Sequence, residues 1–105
     1  MKRLALLLIL AGCGTQPAAS CPDDGTNLTY ANFGQAFMSS YCVSCHGRTR
    51  VEHGVDLSTL ARVKMWSAAV LHEAGTGTSM PPAGEPAPST AERAKLAEWL
   101  ACGGN

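Results

Sequence analysis

Cys42, Val43, Ser44, Cys45 and His46 stand in the order C-x-x-C-H. Two thiols three residues apart, followed at once by an imidazole, are the attachment pattern of c-type haem. The thiols add across the two vinyl groups as thioethers, and the neighbouring histidine reaches the iron as its proximal ligand. Two other uses of such a pair are weaker. A thioredoxin-like dithiol needs a βαβ setting, and no strand pattern accompanies this one. A zinc site needs two more ligands close by, whereas Cys21 and Cys102 are distant in sequence. Because c-type haem is attached outside the cytoplasm, the reading demands an export signal.

The N-terminus meets that demand. Lys2 and Arg3 precede an unbroken apolar run from Leu4 to Ala11, the make-up of a signal peptide and too short for a membrane-spanning helix. The run closes on Leu10-Ala11-Gly12-Cys13, which resembles the lipobox of bacterial lipoproteins. That resemblance implies a signal peptide over residues 1–12 and lipid on Cys13. The competing reading is an ordinary signal peptide with a chance cysteine. Several acyl chains anchor a protein stably where one does so marginally. The expected location is the cell envelope, facing the periplasm, and Gly14, standing where inner-membrane lipoproteins often carry aspartate, tips the preference towards the outer membrane.

With residues 1–12 removed, 93 of the 105 residues remain, enough for one small domain. Lys2 and Arg3 leave with the leader, so six basic side chains face eight acidic ones. No cluster of Lys and Arg suggests nucleic acid as a partner. Residues 13–28 are rich in Thr, Pro, Ala, Ser, Asp and Gly and read as a tether, which leaves residues 29–105 for the domain. Tyr30, Phe33, Phe37, Met38 and Tyr41 form an apolar stripe at helical period that runs into Cys42, with Thr29 as N-cap and Gly47 as terminator. Asp56 is placed to cap a middle helix carrying Leu57, Leu60, Val63, Trp66, Val70 and Leu71, whose irregular spacing around 62–65 predicts a kink. Four prolines between Pro81 and Pro88 keep the next segment out of helix. Ser89 and Glu92 then make a capping box for a last helix with Leu96, Trp99 and Leu100 on its buried side, stopped by Gly103-Gly104.

Three or four helices wrapped in loops, with attachment cysteines closing the first, resemble a class I cytochrome c over most of residues 29–102. Gly34, Met38 and Cys42 fall at four-residue steps, as do that family's helix glycine, aromatic and first haem cysteine; Met38 departs from the pattern, with Phe37 beside it. The resemblance implies an all-α cytochrome c-like fold around one covalent haem c, with the first and last helices crossing at Gly34 against Trp99. It also implies a distal methionine followed by proline and placed before the last helix, a description that Met80-Pro81-Pro82 fits. Among other candidates, Met38 lies on the proximal helix, Met65 reads as core filler in the middle helix, His72 as a surface histidine and His53 as a solvated loop residue. Since the family's terminal helices pack together, Cys21 and Cys102 are expected to form a disulfide, against the alternative of two unpaired thiols.

The function expected from these features is a lipid-anchored monohaem electron carrier with His46/Met80 ligation, meeting redox protein partners and the membrane, and not an enzyme. The alternative is a ligand-binding or sensor module whose distal ligand is displaced by a small molecule.

Overall fold

The computed structural model describes residues 19–105. The leader, the lipobox and Cys13 lie outside the described residues. Among those described there is no strand; four α-helices account for most of the regular structure, α1 Gln35–Tyr41, α2 Leu60–Met65, α3 Ser67–Val70 and α4 Thr90–Ala101. One antiparallel bridge joins His46 to Val51. This is the small all-α cytochrome c-like fold expected from the sequence.

The first helix opens where the sequence places its cap. The Asn32 backbone N–H donates to Thr29 Oγ1 at 3.1 Å, and the Thr29 N–H donates to Asn32 Oδ1 at 2.8 Å, so each residue satisfies the other's free donor. The turn Tyr30–Gly34 is π-helical, with the Gly34 N–H reaching the Thr29 carbonyl at 3.0 Å, before α1 continues. Phe37 and Met38 are buried from this helix, and Trp99, Leu96 and Leu100 from α4. Trp99 is fully buried and packs edge-on against Phe33 at a centroid separation of 6.2 Å. A Cβ added at Gly34 would stand 2.7 Å from Trp99 Cζ2, so only glycine lets the two helices approach this closely.

The middle segment differs from the expectation in its cap and in Met65. Its cap is Thr59, whose Oγ1 accepts from the Arg62 N–H at 3.2 Å. Asp56 instead accepts from the Ser58 N–H at 2.9 Å, a local turn that competes with helix. The expected kink is present, at Trp66, where φ −101° and ψ 12° separate α2 from α3, and a π-helical turn Leu71–Gly75 follows. Met65, expected in the core, is 67% exposed: two residues on from the buried Val63, it falls on the opposite side of α2.

The ends of the domain are tied together. Cys21 and Cys102 form a disulfide with a Cα–Cα distance of 4.8 Å. The Trp99 indole N–H donates to the Asn105 carbonyl at 3.0 Å and the Tyr30 N–H to the same oxygen at 2.8 Å. Thr26 donates to Glu98 at 3.3 Å, and Leu28 packs on the core, so part of the stretch read as tether lies against the domain.

Candidate functional site

The C-x-x-C-H segment is one tight turn. The Cys45 N–H and the His46 N–H both donate to the Cys42 carbonyl, at 3.2 and 2.9 Å, and α1 ends by passing directly into it. Residues 51–57 fold back over this turn and hold it from outside. The Glu52 N–H donates to the Cys45 carbonyl at 2.9 Å, and the Leu57 N–H to the His46 carbonyl at 2.7 Å. Gly47 is needed for the reversal, since a Cβ there would run into the Val43 carbonyl.

His46 Nδ1 lies 3.1 Å from the Val55 carbonyl oxygen. A carbonyl only accepts, so Nδ1 is the donor in this contact and Nε2 is the nitrogen left to face a metal. The free thiols Cys42 and Cys45, together with His46, border a cavity of about 560 Å³, within the range of cofactor sites. Val55, Leu57, Trp66 and Val70 give it apolar walls, and Met80, Pro81 and Pro82 border it from the loop before α4. Burial pushes the Cys42 thiol up to about 12, as an apolar wall would. Two thiols, an imidazole with one free nitrogen and a thioether around one apolar cavity are a donor set that fits haem c.

The four residues that the sequence singled out for the cofactor, Cys42, Cys45, His46 and Met80, therefore border one space. Met38 is buried in the core and Met65 is exposed; neither borders the cavity. The His72 side chain is 73% exposed and 4.0 Å from Glu73, outside the cavity as a surface histidine should be. His53 does border it, from a backbone with φ 54°, which a solvated loop residue was not expected to do. The Val55 carbonyl was not foreseen either: a backbone atom leaves no trace in residue type.

Fold and donor set together define a c-type monohaem cytochrome domain. The family model described as cytochrome C oxidase, cbb3-type, subunit III matches residues 31–100, and the chain belongs to that family. Its haem c is covalently bound. No curated protein and no solved structure matches the chain.

Proposed function

We propose that this chain is a periplasm-facing electron carrier, anchored by lipid on Cys13, whose haem is attached through Cys42 and Cys45 and ligated by His46 and Met80. The observation that carries the reading is the convergence of those four side chains on one apolar cavity, with His46 already oriented by Val55. When bound, haem c supplies one-electron chemistry at its iron. The thioethers of Cys42 and Cys45 keep the cofactor from dissociating. The Val55 carbonyl fixes the His46 ring and raises its basicity. The Met80 thioether favours the reduced metal, which raises the potential relative to two histidines. Walls such as Leu57, Trp66 and Val70 exclude water, so little solvent has to reorganise around a change of charge.

The matched family is named for a subunit of an oxidase, which makes an oxidase one class of acceptor for such a carrier. The sequence holds a single C-x-x-C-H, hence a single haem. Redox contacts of this kind are small and transient. The deciding experiment is mass spectrometry of the exported protein combined with carbon monoxide titration of its ferrous form. One haem on the peptide containing Cys42 and Cys45, together with no carbon monoxide binding at neutral pH, is the expected result. A non-covalent haem would refute the attachment, and ready carbon monoxide binding would replace the carrier with the ligand-binding module.

A further inference from the structure

Two adjacent residues on α4 bond to residues that line the cavity. Glu92 accepts from the Tyr41 hydroxyl, at 2.9 Å to Oε2, and Tyr41 immediately precedes the attachment cysteine Cys42. Arg93 bonds to a different part of the lining. Its Nη1 donates to the carbonyls of Ala74 at 2.9 Å and Met80 at 2.7 Å, with Gly77 at 3.3 Å sharing the same nitrogen. All three acceptors belong to the segment that ends in Met80. The Ala74 carbonyl lies in the closing π-helical turn Leu71–Gly75, where carbonyls run out of partners. Among the described residues Arg93 enters no ion pair, so its charge is committed to these carbonyls. The segment's other hydrogen bonds are local: the Thr76 N–H and hydroxyl donate to the Leu71 carbonyl at 2.8 and 3.2 Å, and the Met80 N–H and the Ser79 hydroxyl to the Glu73 carbonyl at 2.9 and 3.3 Å.

We propose that Arg93 is the positioning residue for the distal side: its guanidinium, set on a rigid helix, clamps the 74–80 segment so that Met80 stays at the cavity wall. The inference rests on the reading of Met80 as distal ligand. A guanidinium suits the task because its fork of N–H donors is planar and permanently charged. Partners that hold a metal ligand from behind are worth about ten- to a hundred-fold in metal binding. Loss of the clamp should therefore loosen the distal bond without touching the covalent attachment.

The experiment compares the holoprotein with Arg93→Met, which keeps the aliphatic stem and removes the donors. In this variant the weak charge-transfer band of thioether-ligated ferric haem should fade, and carbon monoxide should bind the ferrous form at least about ten-fold faster than in wild type. Met80→Ala is the reference, opening the site fully. Gly34→Ala, which disturbs packing elsewhere, should leave band and carbon monoxide exclusion intact below its unfolding transition. Met80→Ala with a wild-type band would overturn the ligand reading itself. An open Met80→Ala site beside an unchanged Arg93→Met would overturn only the clamp, as would a Gly34→Ala variant that loses its band equally. Should Arg93→Met fail to mature, Arg93→Gln carries the same test: a smaller change in the same direction supports the clamp, and wild-type behaviour refutes it.

Discussion

Gly34 lies so close to the Trp99 indole that a Cβ would stand 2.7 Å from Cζ2. Its backbone is helical, at φ −60° and ψ −43°, so alanine would otherwise be favoured there by up to about 1 kcal/mol. Trp99 is fully buried and fixed by its indole hydrogen bond to Asn105, which leaves it no easy retreat. Overpacking of this kind costs about 1–3 kcal/mol and outweighs the helix preference. Gly34→Ala is expected to lower the thermal midpoint of the holoprotein, read by circular dichroism; an unchanged or raised midpoint would show that the helices can part at little cost.

Glu92 gives the domain a stability that depends on pH. Hydrogen bonds from the Ser89 backbone N–H and then from the Tyr41 hydroxyl hold its carboxyl below the ordinary glutamate range. Because the folded form is the more acidic, this stabilisation is complete above the unfolded pKa and is lost as pH falls through the depressed folded value. The same contact raises the Tyr41 hydroxyl above its usual value. Urea titrations between neutral and acidic pH should show a stability loss in wild type that is shallower in Glu92→Gln. Equal slopes would mean that the carboxylate's partners in solution differ from Ser89 and Tyr41.

The disulfide joins residues 81 positions apart and ties the entrance of the domain to the end of α4. On the chain-entropy account, closing a loop of that length is worth about 4–5 kcal/mol, most of it by restricting the unfolded chain. The double variant Cys21→Ser/Cys102→Ser should therefore unfold at markedly lower urea concentration while its haem spectrum stays unchanged. A changed spectrum in the folded variant would mean that the bridge also shapes the cavity.

The lipid reading is tested at the membrane. Cys13→Ser should release the protein into the soluble envelope fraction, or block its processing, with the haem spectrum preserved. A wild-type protein already soluble and starting at another residue would remove the anchor from the account.

Local signals were legible in the sequence because they act within one turn: the Thr29 cap, the Ser89–Glu92 box and the C-x-x-C-H turn depend on neighbours within a few positions. Gly34 and Trp99 were legible through the family resemblance. The middle helix was misread at its start, since both Asp56 and Thr59 can cap and only packing chooses between them. Met65 was misplaced because its residue type was weighed above its position: two residues on from Val63, it falls on the opposite side of a 3.6-residue helix. The Arg93 clamp and the Val55 carbonyl stayed hidden for a more general reason. Both are bonds to backbone oxygens of a distant segment, and every residue offers such an oxygen.

The two loop-side and helix-side methionines provide the sharpest separation of roles. Met80 borders the cavity and its backbone is held by Glu73 and Arg93, whereas Met65 ends α2 with 67% of its surface exposed. Met65→Leu removes a sulfur from solvent-facing surface, so stability should move by no more than about 0.5 kcal/mol and the midpoint potential should not move. On the proposed ligation Met80→Ala removes the thioether that would favour the reduced iron, so the potential should fall and the ferric haem should shift towards high spin. Redox titration and absorption spectra of both holoproteins check the pair. A potential that falls in Met65→Leu and holds in Met80→Ala would assign the distal bond to the other methionine and require α2 to swing inward when the haem is attached.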